Sequence, residues 1–315
     1  MKTIDTGDTQ ALLDDFCQEQ QLPERYRAIA TDYFLPLAKE IVATKQLKTA
    51  SSPLLIGING CQGSGKSTLA SLLSALLTHK YKLRTANLSL DDFYHTRQTR
   101  QQLAIDVHPL FSTRGVPGTH DTQLLQRTLY KLSHYNKQVM IPRFNKAVDD
   151  RHSQALWDVI ACPVDIIILE GWCVGVSSQT ELTLLNPINT LETEEDKSAI
   201  WRRTINHLIK TDYTPLFEKL DQVIMLQAPN FDCVYQWRKK QEDKLRKQLI
   251  DKKTSQEKST GIMDEISLQR FIQHYQRLTE NMLAVLPYTA DIVFKLNADH
   301  QIIGRRDNTT TNATA

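Results

Sequence analysis

The chain has 315 residues, which is enough for one large domain or two small ones. Its hydrophobic content of 41% and its charged content of 23% are ordinary for a globular protein. The net charge of +2 gives no electrostatic basis for binding nucleic acid, and no apolar run approaches the ~20 residues that span a bilayer. Composition therefore predicts a protein that binds neither nucleic acid nor a membrane.

Cysteine usage and the first residues bear on the cellular compartment. The five cysteines are scattered along the chain and form no C-x-x-C pair. This pattern argues against a zinc site and a disulfide framework, and it is typical of a reducing compartment. The first 15 residues include four aspartates, which is too acidic for a signal or transit peptide. We therefore predict a cytoplasmic protein.

The chain begins with a predicted helical segment over residues 1–50. Apolar side chains recur at helical spacing between Tyr26 and Val42, and Pro23 precedes this stretch. We expect the segment to be an appendage that packs on a main domain over residues 51–304. Residues 305–315 are rich in Thr and Asn and are predicted to be a disordered tail.

A glycine-rich loop follows the first predicted strand. Residues 54–59 form a short apolar run, residues 60–67 read GCQGSGKS, and residues 68–77 have the composition of a helix. The loop matches the phosphate-binding pattern G-x-x-x-x-G-K-[ST], and the flanking strand and helix are the context that this motif requires. The alternative, a glycine-rich turn with a chance lysine, does not account for that context.

The residue types of this loop suit a nucleoside triphosphate. The glycines allow the backbone to turn tightly and to direct successive N–H groups at one point, where the helix N-terminus adds partial positive charge. Lys66 would reach the outer phosphates, and the Ser67 hydroxyl would bind Mg²⁺. The predicted nucleotide-binding residues are Gly60, Gly63, Ser64, Gly65, Lys66, Ser67 and Thr68.

Four further apolar strands are predicted, and helices alternate with them. The strands lie at residues 82–90, 164–169, 220–227 and 291–296, and the helices at 122–132 (capped by Asp121), 230–249 and 265–286. Residues 139–151 are predicted to be irregular, and the acidic run at 192–196 to be a solvated surface. This alternation predicts a three-layer α/β fold, with a five-stranded, mostly parallel sheet and helices on both faces.

Acidic residues follow two of these strands at the sheet edge where parallel sheets bind ligands. Asp91 and Asp92 follow the second strand, and Glu170 follows the third. Glu170 would share Mg²⁺ with Ser67, and Asp91 would act as the base that accepts the proton of an acceptor hydroxyl. Asp92 is the rival base, because neighbouring residues of an extended segment point to opposite sides. The alternative for these acids is a turn or surface role.

The charged helix at residues 230–249 would close over the phosphates. Arg238 is the first candidate for a lid arginine that stabilises charge in the transition state, ahead of Lys244 and Arg246. The alternative is a solvated helix surface.

Six stretches of the chain together resemble the D-glycerate 3-kinases, a family of P-loop kinases from plants, fungi and bacteria. They are the loop at 60–67 and residues 88–94 (LSLDDFY), 114–121 (RGVPGTHD), 142–144 (PRF), 169–172 (LEGW) and 236–238 (QWR), in that order. The resemblance extends from about residue 29 to residue 296. The chain resembles phosphoribulokinase, uridine kinase and bacterial-type pantothenate kinase more distantly.

The resemblance implies ATP-dependent phosphorylation of the 3-hydroxyl of D-glycerate, with Mg²⁺. It implies that Asp91 stands at the position of the base, Glu170 at that of the acid after the third strand, and Arg238 at that of the lid arginine. Two departures lie near the acceptor. Residues 142–146 read PRFNK where P-x-Y-D-K is expected, and residues 147–151 read AVDDR in place of a glycine-rich run.

A small hydroxy acid would need a cation for its carboxylate, ideally a bidentate arginine. The candidates are Arg114, Arg143 and Lys146, and Arg114 is preferred because it lies in the most distinctive stretch. His120 would either contact the acceptor or brace that loop.

Three other functions stay open. A uridine- or pantothenate-like alcohol would be an alternative acceptor, with Phe93, Tyr94, Phe144 and Trp172 available for stacking. A non-metabolic switch that binds ATP or GTP is a second alternative. A switch that reads guanine would need the motif N-K-x-D, which residues 145–149 (NKAVD) miss by one position. A nucleic-acid-linked ATPase is disfavoured by the balanced charge.

Overall fold

A computed structural model describes residues 6–48, 52–251 and 264–308. The strands in these ranges are β1 (Leu54–Gly60), β2 (Thr85–Ser89), β3 (Gln138–Ile141), β4 (Phe144–Asn145), β5 (Asp150–Arg151), β6 (Asp158–Ala161), β7 (Ile166–Gly171), β8 (Gln222–Gln227), β9 (Ile292–Leu296) and β10 (Ile302–Asp307). The α-helices are α1 (Thr6–Glu19), α2 (Arg25–Ile29), α3 (Leu35–Leu47), α4 (Lys66–Ala75), α5 (Arg97–Asp106), α6 (Thr122–His134), α7 (Glu181–Leu184), α8 (Thr190–Glu195), α9 (Ile200–Leu208), α10 (Thr214–Phe217), α11 (Phe231–Asp251) and α12 (Glu265–Val285). No helix in the ranges described is long and apolar enough to cross a membrane.

The main sheet has the strand order β10-β9-β8-β1-β7-β2. The strands from β9 to β2 run parallel, whereas β10 is antiparallel to β9. Every residue of β7 and all but one of β1 are buried, as expected for central strands covered on both faces. The predicted α/β fold with a mostly parallel sheet is confirmed.

The sixth strand corrects two predictions. The sequence predicted five strands and a disordered tail from residue 305, but residues 305–307 belong to β10 and pair with β9. This edge strand is half polar, with arginines at 305 and 306, so it lacks the apolar run that marks a buried strand. Arg305 also pairs with Glu40 of α3, at 2.5 Å, which ties the strand to the N-terminal helices. Residues 309–315 of the predicted tail lie outside the described residues.

Two apolar cores lie on opposite faces of the sheet. On one face, α1, α3 and α4 contribute Leu13, Leu37, Ile41, Leu69 and Leu73, which pack with Ile56 and Ile58 of β1. On the other face, α6, α9 and α12 contribute Leu125, Ile205 and Leu278, which pack with Ile167 and Leu169 of β7. The N-terminal segment therefore supplies part of a shared core and does not only rest on the surface of the domain.

Two regions differ from the sequence expectation. Residues 139–151 are not irregular throughout, because β3 pairs with β6 and β4 with β5 in antiparallel fashion. The acidic run at 192–196 is not a solvated surface at Glu192 and Asp196, which are each 1% exposed. Glu192 pairs with Arg277 at 2.6 Å and Asp196 with Arg202 at 2.9 Å, and these partners compensate the buried charges. The predicted cap of α6 is confirmed, since the Asp121 carboxylate accepts from the Leu124 N–H at 2.9 Å.

Candidate active site

The glycine-rich loop joins β1 to α4 at the carboxyl end of the central strand. Gly63 and Gly65 have φ angles of +81° and +92°, in the left-handed region that favours glycine. Helix α4 begins at Lys66, so the free N–H groups of its first turn face the loop. The Ser64 hydroxyl is buried and has no hydrogen-bond partner. This arrangement is suited to an anion.

Two other segments brace the loop from outside. A Cβ atom on Gly63 would lie 2.7 Å from the Cβ of Trp237, so α11 abuts the loop backbone. The Trp237 indole stacks on the His300 imidazole, with ring centroids 4.2 Å apart, and donates to the Ala298 carbonyl at 2.8 Å. His300 Nε2 in turn donates to the Gly63 carbonyl oxygen at 2.8 Å. Trp237 lies in the stretch 236–238 that carries the resemblance, but sequence reasoning gave it no bracing role. His300 was missed, and its one sequence signal is its position shortly after the last parallel strand.

Ser67 and Glu170 lie side by side, as predicted for a cation site. The Ser67 hydroxyl donates to Glu170 Oε1 at 3.1 Å, and Lys66 Nζ lies 4.0 Å from Glu170 Oε2. Glu170 is 5% exposed, and its Oε2 has no hydrogen-bond partner. A buried, unpartnered carboxylate oxygen beside a hydroxyl fits Mg²⁺, which prefers oxygen ligands. Among the residues described, no group of three or more His, Cys, Asp or Glu side chains could hold a metal, so an ion here would need phosphate oxygens and water as well.

Asp91 lies just past β2, in a 3₁₀ turn at Leu90–Phe93. Its carboxylate accepts from the Tyr94 hydroxyl at 3.0 Å and pairs with Lys146 Nζ at 2.6 Å. Burial raises the pKa of Asp91, but Lys146 and Lys66 together outweigh burial and hold the pKa well below its usual range. Asp91 is therefore ionised and lies within the electrostatic reach of the loop lysine, although its pairing with Lys146 makes it a weak base.

Asp92 has different partners. Its carboxylate accepts from the Phe144 N–H at 3.0 Å and pairs with Arg143 at 2.5 Å. Burial raises the pKa of Asp92, while the Phe144 N–H and Arg143 oppose this increase. The sequence analysis expected Asp91 and Asp92 to point to opposite sides of an extended segment. They lie on a 3₁₀ turn instead, but they still have different partners. Asp92 ties β4 to this turn, and Asp91 is the acid whose pKa the charge of Lys66 helps to lower.

His120 is 2% exposed, and its ring stacks on Tyr94 with centroids 4.5 Å apart. Its Nδ1 lies 2.8 Å from the Tyr213 hydroxyl oxygen, which accepts from the Gly118 N–H at 3.0 Å. Burial lowers the pKa of His120 to about 3, against the opposing effect of Asp91, so the ring is neutral. Because the Tyr213 hydroxyl is free to donate to Nδ1, the ring hydrogen is placed on Nε2, which is buried without a partner. His120 braces its loop, and contact with an acceptor stays a prediction.

Arg114 and Arg143 differ in the charges around them. Asp149 pairs with both Arg114 and Arg100, so one carboxylate serves two guanidinium groups. The Arg114 guanidinium also lies 5.6 Å from the centroid of the Phe144 ring. An excess of positive charge therefore remains around Arg114, as an anionic acceptor would need.

Arg143 is surrounded by the opposite balance. It pairs with Asp92 and with Asp158, each at 2.5 Å, so two carboxylates serve one guanidinium. Lys146, the third predicted substrate residue, is 62% exposed and pairs with Asp91. The structure thus brings Lys146 to the predicted base, and it leaves Arg143 with little attraction for a further anion.

Arg238 follows Trp237 on α11. Its guanidinium lies 5.9 Å from the centroid of the Phe271 ring on α12. The neighbouring Tyr275 hydroxyl donates to the Arg114 carbonyl oxygen at 3.1 Å, so α12 also contacts the predicted acceptor loop. The lid role of Arg238 stays a prediction, and the side chains of its alternatives, Lys244 and Arg246, lie outside those that the structure describes.

Several known proteins are similar to this chain in sequence or in fold. No family model matches it. An uncharacterized kinase of Schizosaccharomyces pombe, mug58, is 34% identical over 241 residues, which is 73% of this chain and 81% of that protein. The chloroplastic D-glycerate 3-kinase of Arabidopsis thaliana is 28% identical over 232 residues, which is 71% of this chain but only 46% of that protein. The solved structure of a D-glycerate 3-kinase from Cryptococcus neoformans has the same fold, with a TM-score of 0.71 and 23% identity over 87% of this chain and 98% of that one.

Proposed function

The chain belongs to the family of P-loop kinases that includes the D-glycerate 3-kinases, and on this basis we propose that it transfers the γ-phosphate of ATP to a hydroxyl of D-glycerate, giving 3-phosphoglycerate. The observation that carries the proposal is the convergence of three groups from separate strand ends. Lys66 lies 4.0 Å from Glu170 and is a cause of the low pKa of Asp91. Phosphoryl transfer needs these parts, which are a phosphate cradle, a cation site and an oriented acceptor.

Each group has a distinct task in this reaction. The loop amides and Lys66 would hold the phosphates of ATP, and Asp91 would orient the acceptor hydroxyl and take its proton. Mg²⁺ held by Ser67 and Glu170 would neutralise charge that develops on the phosphates. Arg238 would close over the transferred group from α11. The scattered cysteines favour the cytoplasm as the location of this reaction.

The charges near Asp91 suit a hydroxy acid as the acceptor. Arg114 shares the carboxylate of Asp149 with Arg100, so it retains attraction for the carboxylate of glycerate. Lys146 is exposed enough to turn from Asp91 to that same carboxylate. The pKa of Asp91 would then rise towards its usual value, and the carboxylate would become a better base. His120 Nε2 would donate to the acceptor, and Arg143 would hold Asp92 in place.

A panel of acceptors tests the proposal. Purified protein is incubated with ATP, Mg²⁺ and glycerate, uridine, pantothenate or ribulose 5-phosphate, and ADP release is followed. We expect glycerate alone to stimulate release. Stimulation by uridine or pantothenate without glycerate would replace the acceptor, and no stimulation by any alcohol would favour a nucleotide-binding switch.

A substitution of the predicted base tests the mechanism. Asp91→Asn should lower turnover by about 10²- to 10⁴-fold, because it removes the proton acceptor, and should leave ATP binding intact. Asp106→Asn is the control, since Asp106 is an exposed acid of α5. Turnover by Asp91→Asn at the level of the control would show that Asp91 is not the base.

A further inference from the structure

Asp149 lies in the turn that joins β4 to β5. Its φ angle is +57°, in the left-handed region that favours glycine. The turn belongs to the stretch AVDDR, at which the resemblance implied a glycine-rich run. An aspartate in this conformation destabilises the turn relative to glycine, and residues held at such a cost cluster at functional sites. A role for the Asp149 side chain would account for this cost.

The Asp149 carboxylate bridges two arginines. One oxygen, Oδ1, pairs with Arg114, and the other, Oδ2, pairs with Arg100 at 2.9 Å. Arg100 is fixed in place, because its side chain is 1% exposed and also donates to three backbone carbonyl oxygens. Arg114 has more freedom, since its side chain is 25% exposed. Asp149 would therefore remain on Arg100 if Arg114 turned to another anion.

The same turn reaches the predicted base. Lys146, three residues before Asp149, places its Nζ 2.6 Å from Asp91 Oδ2. The Tyr275 hydroxyl donates to the Arg114 carbonyl oxygen at 3.1 Å. Burial raises the pKa of Tyr275, the charge of Asp91 raises it further, and the charge of Arg114 lowers it. Asp91 and Arg114 therefore act on one side chain, and an acceptor whose hydroxyl meets Asp91 would extend its carboxylate towards Arg114.

We propose that Asp149 is an internal competitor of the acceptor, because its carboxylate occupies the guanidinium of Arg114 that the acceptor's carboxylate would bind. The inference rests on the proposed function, since it requires an acceptor with a carboxylate. When such an acceptor binds, Arg114 exchanges one carboxylate for another, and Asp149 stays on Arg100. Each of these three charges has a partner before and after the exchange.

Competition of this kind makes Asp149 a determinant of affinity and specificity. A carboxylate binds only to the fraction of molecules in which Arg114 is open, so its apparent dissociation constant is raised by the inverse of that fraction. The factor depends on the pair of Arg114 and Asp149, so it is the same for every carboxylate that binds Arg114. A neutral alcohol does not compete for Arg114 and is not affected. The pair therefore keeps weakly binding carboxylates out of the site and admits an acceptor that also has a hydroxyl for Asp91.

Kinetics with ATP and Mg²⁺ test the inference through Asp149→Asn, because asparagine removes the charge and tolerates the left-handed conformation. We expect the KM for D-glycerate to fall about three- to tenfold with kcat largely unchanged, since a partly exposed ion pair no longer opposes binding. The inhibition constant of acetate, a carboxylate without a hydroxyl, should fall by the same factor. The inhibition constant of glycerol, which has hydroxyls but no carboxylate, should not change. Asp149→Gly, which also relieves the backbone conformation, should give the same results.

The control is Asp158→Asn, which removes the same charge from Arg143 and should change neither the KM nor the inhibition constants. Unchanged constants in Asp149→Asn, with glycerate phosphorylated by the unmodified protein, would overturn the inference and leave the proposed function standing. A higher KM would show that Asp149 holds Arg114 in place for the acceptor, which also contradicts competition. A protein that does not phosphorylate glycerate would overturn the proposed function, and this inference with it.

Discussion

Two glycines of the phosphate-binding loop should respond differently to the same substitution. Both Gly63 and Gly65 have positive φ angles, of +81° and +92°, so alanine at either position would have to adopt a left-handed conformation. A Cβ at Gly63 would lie 2.7 Å from the Cβ of Trp237, whereas a Cβ at Gly65 would have no neighbour within 4 Å. The pair therefore separates backbone strain from collision with α11.

The magnitudes follow from these two contributions. The left-handed conformation costs an alanine about 1–2 kcal/mol, which is the whole expected effect of Gly65→Ala. Gly63→Ala adds the cost of forcing an atom into a filled space, about 1–3 kcal/mol, for a total of roughly 2–5 kcal/mol. The neighbouring atom is a Cβ close to the helix backbone, so a side-chain rotation cannot relieve the contact.

Urea unfolding without nucleotide measures both variants free of any effect on phosphate binding. We expect Gly63→Ala to lower the free energy of unfolding by about 1–3 kcal/mol more than Gly65→Ala does. In a thermal melt this difference corresponds to about 2 °C for each kcal/mol. Equal destabilisation by the two substitutions would refute the packing of α11 against the loop.

Three further outcomes follow from the charges of the molecule. Arg114→Gln should raise the KM for glycerate about 10- to 100-fold by removing a charge-assisted hydrogen bond, whereas Arg143→Gln should leave this KM largely unchanged. A larger effect of Arg143→Gln would show that Arg143, and not Arg114, binds the carboxylate of the acceptor. Burial lowers the pKa of His120 to about 3, so near pH 6.5 only the unfolded chain binds a proton at this residue. The contribution of neutral, buried His120 to the free energy of unfolding is therefore complete above pH 6.5 and is lost as the pH falls. Urea titrations should show the free energy of unfolding falling by about 1 kcal/mol from this source between pH 6.5 and pH 5.5. His120→Asn should abolish this loss, and a variant that keeps the full pH dependence would contradict the assignment to His120. Arg277→Met should lower the free energy of unfolding, measured in urea, by about 3–5 kcal/mol, because it leaves Glu192 buried without its partner. The double variant with Glu192→Leu should recover most of this loss. A double variant as unstable as Arg277→Met would show that the unpaired charge is not the cause.

The sequence could predict those features that depend on residues close together in the chain. The loop at 60–67 is a contiguous motif between a buried strand and a helix, and both flanking elements have strong apolar periodicity. Asp91 and Glu170 could be placed in one site without any contact information, since the carboxyl ends of parallel strands share an edge. The strand ends and one contiguous motif were therefore sufficient to predict which residues lie at the centre of the candidate site.

The remaining features depend on partners distant in sequence. Glu192 is buried because Arg277, 85 residues later, folds over it, and a local window sees only a run of acids. The sixth strand is defined by its pairing with β9 and not by its own apolar content. The different charge balance around Arg114 and Arg143 likewise depends on the carboxylates of Asp149 and Asp158, whose side-chain positions no spacing rule predicts.

The bond between His300 and Gly63 has a consequence for the order in which the protein forms. The two residues are 237 positions apart, so the brace closes a very long loop of chain. At a synthesis rate of ~5–20 residues per second, the phosphate-binding motif would leave the ribosome roughly 10–50 s before the histidine that supports it. During that interval the nascent chain carries the motif without its brace. A nucleotide would thus meet a braced loop only after His300 has been made, so it would bind late in folding and would not guide the early steps.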